Sequence, residues 1–291
     1  MTIWTDLIGI EFSLSFVSAA SVRTRALIAG KGDDVIMLHG TSGHLEAFSR
    51  NIVPHVEAGF RCHAIDMLGH GYTDKPNASR EIPDYARHIL DYLDAQGIER
   101  AHFIGESLGG WVSGWIAIHH PERVVSLQLV AAGGTKADPE VMKRIKESTR
   151  RAVLTDDIEL TRGRLRLLMH EAADATEELV EVRHRIYHEP DFVANIDRLL
   201  ALQELEIRLR NILRSADLAR IAAPTLIVWG RNNPFGDVPE ATAMNAAIPG
   251  SQLELFDACG HWPQHEQSDK FNTMSIAFLQ PPPKLIEIGG D

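Results

Sequence analysis

The chain has 291 residues, 44% of them hydrophobic, which is enough for a sizeable core in one large α/β domain that carries an insertion. A formal net charge of −11 argues against a nucleic-acid or anionic-membrane surface and leaves a small molecule as partner, one that would need a local positive group if it were anionic. Two cysteines, Cys62 and Cys259, lie far apart, so there is no disulfide framework and no C-x-x-C metal signature, which fits a reducing cytoplasm.

Along Met1 to Ala20, Asp6 and Glu11 interrupt the apolar residues and no Lys or Arg precedes them, a poor match to a secretory signal. No run approaches the roughly 18 apolar residues of a spanning helix, so no membrane association is expected. Phe12 to Phe16 and Val22 to Ala29 read as an antiparallel opening pair of strands. Asp34 to Leu38 reads as a strand whose residues after Asp34 are continuously apolar, as in a central parallel strand covered on both faces, and it runs into the loop His39-Gly40-Thr41-Ser42-Gly43. Glu46 to Ala58 has a helical pattern, Cys62 to Met67 is the next strand, and Leu68 to Pro76 is a turn-rich loop. Ile82 to Gln96 is an amphipathic helix capped by Gly97.

Ala101 to Ile104 feeds Gly105-Glu106-Ser107-Leu108-Gly109, and Leu108 to His119 is the helix behind it. This G-x-S-x-G between a buried strand and a helix has the form of a nucleophile elbow, a turn whose glycines let the backbone cross itself closely and lift a serine hydroxyl above the sheet. Val124 to Val130 is another buried strand, and the β-α alternation to this point demands a doubly wound parallel sheet. From Thr135 to Ala216 the alternation stops, and helical periodicity at Val141/Ile145, Leu165/Leu168 and Leu199/Leu202 marks a helical insertion. The expected division is a core of residues 1–134 and 217–291 with a cap of residues 135–216 over the carboxyl edge of the sheet. Pro224 to Gly230 resumes the sheet, Glu240 to Ala247 is a helix, Gln252 to Phe256 is the last strand and Lys270 to Leu279 a closing helix. Pro281-Pro282-Pro283 then leads an extended tail.

Ser107 needs a base. Of the 14 histidines, His261 is the one that follows a final strand in this way, in a loop at the carboxyl end of the sheet. The oxyanion donors expected from this geometry are the backbone N–H of Leu108 and that of Thr41, with Ser42 as second choice. His39 reads as a structural hydrogen-bonding residue, His265 as a surface residue at a helix start, and Cys259 as small packing. Glu106 could polarise the site, but a side chain at that place more often points to the far side of the turn. The orienting acid is expected near the third residue after Gly230, where the chain has Asn233. An amide oxygen can hold the imidazole tautomer but cannot stabilise an imidazolium. Three accounts compete: Asp237 swings in as the acid, Asn233 suffices, or the site has been disabled. His184 and His188 stand at i and i+4 without a Glu between them or an apparent third ligand, so no metal is expected. No G-x-G-x-x-G follows a strand, so no nucleotide cofactor is implied either.

From about Val22 to Leu279 the chain resembles an α/β hydrolase, with a mostly parallel eight-stranded sheet, helices on both faces and a helical cap. More narrowly, His39 to His44, the block Asp66 to Pro76 and Cys259-Gly260-His261-Trp262-Pro263-Gln264 resemble the meta-cleavage product hydrolases, which break a carbon–carbon bond in 2-hydroxy-6-oxo-dienoates made by aromatic ring fission. The resemblance implies Ser107 as nucleophile or activator of water, His261 as proton shuttle, Trp262 and Ser42 against the substrate, and a cap arginine clamping the substrate carboxylate, either Arg183 or Arg185. It implies no cofactor and extends the dimers common among such enzymes to this chain. Asn233 and the absence of an asparagine near Glu46-Ala47 depart from the family pattern. Within the same fold the alternatives are a carboxylesterase or lactonase and a catalytically weak ligand-binding protein.

Overall fold

A computed structural model describes residues 3–280; the tail after Gln280, expected to be extended, lies outside them. The sheet has eight strands: β1 (Phe12–Ala19), β2 (Val22–Gly30), β3 (Asp34–Leu38), β4 (Arg61–Ile65), β5 (Ala101–Glu106), β6 (Val124–Val130), β7 (Thr225–Gly230) and β8 (Gln252–Phe256). Their order across the sheet is β1-β2-β4-β3-β5-β6-β7-β8. The pairs β1/β2 and β2/β4 are antiparallel, and every pair from β4 through to β8 is parallel.

The two-residue period of the strands divides the core. On one face Ile36, Leu38, Phe103 and Ile227 pack against the helices Ile82–Ala95, Leu108–His119 and Val238–Ala247. On the other, Val35, Met37, Ile104 and Val228 pack with residues of the helices Ser49–Glu57 and Ser268–Leu279. Both faces of β5 are therefore buried, all six of its residues included, the polar His102 and Glu106 among them. Between β6 and β7 the chain forms a run of helices that begins with Pro139–Leu154, Ile158–Arg166, Glu177–Tyr187 and Pro190–Leu199. These carry a core of their own, built on Val153, Ile186, Tyr187, Phe192 and Leu199.

Several element bounds differ from their sequence expectation, and two of the differences lie beside the site. The helix expected from Glu46 opens as a 3-10 turn, Leu45–Phe48, and becomes α-helical only at Ser49. The cause is the Glu46 carboxylate, which turns inward to Arg25 (2.5 Å) and His44 Nδ1 (2.7 Å) instead of facing solvent. Strand β4 ends at Ile65 rather than Met67: the Asp66 N–H still donates to the Arg25 carbonyl (3.0 Å), while its side chain accepts hydrogen bonds from the N–H groups of Leu45 (2.7 Å) and Tyr72 (2.9 Å) and anchors the loops that follow.

Candidate active site

The carboxyl ends of β3, β5, β6 and β7 and the loop after β8 converge on one point. Ser107 stands there with φ 50° and ψ −109°, a conformation that costs about 1–3 kcal/mol and persists because its neighbours enforce it. Its N–H donates to the Val130 carbonyl (2.9 Å), and its own carbonyl accepts from Trp111 (3.1 Å) and Gly133 (3.0 Å). A Cβ at Gly105 would strike the Gly109 backbone, and one at Gly109 would strike Leu38, so the crossing needs both glycines. Among the described residues no backbone acceptor takes the N–H of Thr41 or Leu108.

His261 is buried, and with Ser107 it lines a cavity of about 270 Å³. Its Nδ1–H donates to Asn233 Oδ1 at 2.9 Å. The same amide oxygen accepts from the Phe235 N–H at 3.0 Å, which fixes the amide orientation and with it the tautomer: the Nε2 lone pair of neutral His261 faces the cavity. Burial first, and then the charge of Arg164, hold His261 down to about 3.

Asp237 makes no hydrogen bond to the imidazole. Its carboxylate caps the helix Val238–Ala247 by accepting from the Glu240 N–H (3.0 Å) and pairs with Lys136 Nζ (2.8 Å), two local partners that turn it away from the imidazole. The carboxyl that does approach His261 is Glu106. Its Oε1 lies 3.2 Å from His261 Nε2, with both side chains buried. Gly40 makes this direction possible, since a Cβ there would overlap the Glu106 carboxyl. Burial pushes Glu106 up to about 8, against the opposing pull of the Gly40 amide, Arg183 and Arg164. The expectation that Glu106 points to the far side of the turn is thus corrected.

A narrower recess shares Thr41, Ser107, Phe235 and His261 with the main cavity and adds Glu106, Arg164, Arg183 and Trp262. Arg183 is 1% exposed, lies with its guanidinium carbon 5.2 Å from the Trp262 ring centre, and leaves Nη2 without a partner. Arg185, its alternate, faces solvent. Arg164, which the sequence reading overlooked, is equally enclosed: its Nε donates to Thr149 Oγ1 (3.2 Å) while Nη1 has no partner. Its signal was available, because Thr161, Arg164, Leu165 and Leu168 fall on one helical face.

Three other expectations change. Ser42 Oγ is engaged with the Tyr187 hydroxyl (3.0 Å), its backbone turned to φ 58°, so it braces the cap and does not line either cavity. His265 is buried rather than at the surface, donating from Nε2 to the Asp174 carbonyl (2.9 Å). The fold also brings a third potential ligand, Asp156, to His184 and His188, the three ligand atoms lying within 4.8 Å of one another. Their ring nitrogens are already engaged by Thr161, Asp156 and the carbonyls of His184 and Thr155. His39 bridges backbone, donating from Nδ1 to Gly40 O (2.8 Å) and accepting the Met67 N–H (3.1 Å).

A doubly wound sheet with a strained serine elbow, amides without a backbone acceptor and a buried histidine after the last strand defines a serine-type α/β hydrolase acting on a small molecule. The family profile described as alpha/beta hydrolase fold matches residues 34–268. The chain is 33% identical over 261 residues to 2-hydroxy-6-oxo-6-phenylhexa-2,4-dienoate hydrolase of Comamonas testosteroni, covering 87% of this chain and 89% of that one. It is also 33% identical over 266 residues to a 2-hydroxy-6-oxononadienedioate/2-hydroxy-6-oxononatrienedioate hydrolase of Escherichia coli, with coverage of 87% and 89%. A meta-cleavage product hydrolase structure from Pseudomonas fluorescens IP01 superposes with a TM-score of 0.78 at 28% identity, over 92% of this chain and 97% of that one. The chain belongs to the α/β-hydrolase fold family and, within it, to the meta-cleavage product hydrolases.

Proposed function

We propose that this chain hydrolyses the carbon–carbon bond between C5 and C6 of a 2-hydroxy-6-oxo-dienoate, with Ser107 as nucleophile and His261 as proton carrier. The observation that carries the reading is the buried Arg183, whose unpartnered Nη2 sits in the recess shared with Ser107 and His261. An enclosed guanidinium without a full complement of acceptors is costly unless a ligand supplies them, and a planar carboxylate does so with two parallel bonds. Arg164 adds a second positive charge to the same recess.

With the carboxylate held there, His261 Nε2 takes the proton of the 2-hydroxyl and returns it to C5, converting the dienol to a 2,6-dioxo acid. Ser107 Oγ then gives its proton to Nε2 and attacks C6, the carbonyl π pair moving onto an oxygen held by the Thr41 and Leu108 amides. As the tetrahedral adduct collapses, the C5–C6 pair passes into the dienolate and the imidazolium proton completes the leaving fragment. Water repeats the sequence on the acyl-serine, releasing a carboxylic acid and restoring the hydroxyl. No step transfers electrons to or from an acceptor, so the cycle asks for no redox cofactor.

In this reading residues 135–216 act as a lid on a core of residues 1–134 and 217–291, and Trp262 forms a wall of the carboxylate recess. The reaction is assigned to the cytoplasm, and the chain to a homodimer whose apolar surface includes the exposed Trp4, Ile8, Leu14 and Phe16 at and beside the free edge of β1; light scattering would give the mass. The function is tested by mixing purified protein with a coloured ring-fission product and, separately, with p-nitrophenyl esters. Loss of dienolate absorbance, falling by about 10⁴ or more in Ser107→Ala, is the expected result. Ester turnover with an unchanged dienolate spectrum would instead make the chain an esterase, and silence on both a binding protein.

A further inference from the structure

The site holds a buried carboxyl that the steps above leave unused. Asn233 gives His261 an oriented tautomer but no negative charge, so nothing on the Nδ1 side compensates the imidazolium that each proton transfer creates. On the other edge of the ring the buried Glu106 Oε1 stands 3.2 Å from Nε2, with the Gly40 amide and Trp262 as the other polar groups at the carboxyl. Resting on the Ser107–His261 reading, we propose that Glu106 carries the counter-charge of the His261 imidazolium, facing the Nε2 edge and replacing the carboxylate that would otherwise occupy position 233.

The proton count is simple. When Glu106 is protonated, its proton is available to the Nε2 lone pair and the base is blocked. When it is ionised, Nε2 is free to accept the Ser107 proton, and the resulting imidazolium lies against a buried carboxylate, where such attraction is stronger than in water. The charged groups facing the pair are Arg164 from the helix Ile158–Arg166 and Arg183 from Glu177–Tyr187, and the Gly40 amide and Trp262 complete its surroundings. Burial favours the protonated, blocked form, with Glu106 pushed up to about 8, so activity should rise with pH through the neutral to alkaline range.

Four proteins decide the matter: the natural chain, Glu106→Gln, Asn233→Asp, and the double variant. On the dienoate, Glu106→Gln should lower kcat by about 10²–10³ in the natural background. In the Asn233→Asp background, where a carboxylate on Nδ1 takes over the same duty, the loss should be less than about fivefold. The alkaline rise in kcat should disappear in Glu106→Gln. Equal losses in both backgrounds, or none in either, overturn the proposal. A second readout needs no turnover: the ¹⁵N shifts of the His261 imidazole, followed against pH, should show the Glu106 titration in the natural chain and lose it in Glu106→Gln. Identical His261 titrations in the two proteins reject the coupling. A chain inert toward dienoates and esters alike that still shows the coupled titration would refute the proposed reaction while upholding the pairing.

Discussion

Replacing Arg183 by methionine removes the guanidinium while keeping a long apolar stem, and it separates substrate binding from folding. In the folded protein this side chain is 1% exposed; its Nε donates to His44 Nε2 at the limit of hydrogen bonding (3.4 Å) and its Nη2 bonds nothing. An unsatisfied buried donor costs about 1–3 kcal/mol. The aromatic contacts to Trp262 (5.2 Å) and Tyr187 (5.8 Å) return about 0.5–1 kcal/mol each. The stability change on Arg183→Met should therefore fall within about 1–2 kcal/mol of zero, far from the 3–5 kcal/mol expected when a fully paired buried ion loses its partner. Binding should respond differently. Removing the cation from a buried, hydrogen-bonded charge pair costs about 2–5 kcal/mol, or roughly 30- to 4,000-fold in kcat/KM, and because the carboxylate is held throughout the reaction most of the loss should appear in KM. The assay is steady-state turnover of the dienoate and of its methyl ester, with urea unfolding beside it. The ester lacks the charge, so its kcat/KM should scarcely change. Equal losses on acid and ester would show that Arg183 shapes the pocket without recognising the carboxylate.

Other consequences concern the charges elsewhere in the structure. Burial depresses His55 and His265 to about 4 and His70 and His88 to about 3, so each is neutral when folded and takes up a proton on unfolding below its ordinary value of 6.5. The stability they contribute is complete above that pH and is lost as the pH falls toward 3–4, at about 2 kcal/mol per histidine between pH 7 and 5. Urea midpoints at the two pH values should differ accordingly, and equal midpoints would contradict the neutral burial of these rings. Asp237→Ala removes a helix cap and a surface ion pair, so it should cost about 1 kcal/mol of stability and leave kcat within about twofold. A loss of activity near 10⁴ would return Asp237 to the role of acid.

What the residues announced, and what they concealed, follows from the range over which each is constrained. The elbow was readable because its constraint is local: Gly105 and Gly109 are needed by backbone atoms within a few residues and by the adjoining strand β3. The parallel sheet was readable for a similar reason, since continuous apolar runs such as Val35 to Leu38 record burial on both faces. His261 was placed by chain order, the loop after the last strand having one destination. Side-chain direction was not readable in this way. Glu106 turns toward His261 because Gly40, 66 positions earlier, has no Cβ to obstruct it, and a motif centred on Ser107 contains no trace of that residue. Asp237 was the first carboxylate after the expected acid position, four residues beyond Asn233, but a nearby helix start and Lys136 claimed its oxygens. Arg164 sits in a cap segment whose many arginines look alike in sequence and differ only in which face of the helix is covered.

The two arginines and the one carboxyl also set the order of events within a turnover. In the free protein Arg164 and Arg183 both favour the ionised form of Glu106, opposing the effect of burial. A bound substrate carboxylate offsets part of that positive field and brings a negative charge of its own, so it disfavours ionisation of Glu106 and raises the pH at which Nε2 becomes free. The free enzyme is seen in kcat/KM and the complex in kcat, so the alkaline rise should be displaced to higher pH in the kcat profile. The displacement should vanish for the methyl ester, which brings no charge, and shrink in Arg183→Met, where the carboxylate is no longer held close. Should kcat and kcat/KM for the dienoate rise at the same pH in the natural chain, the substrate carboxylate and the Glu106–His261 pair do not share one field, and the clamp must be sought outside this recess.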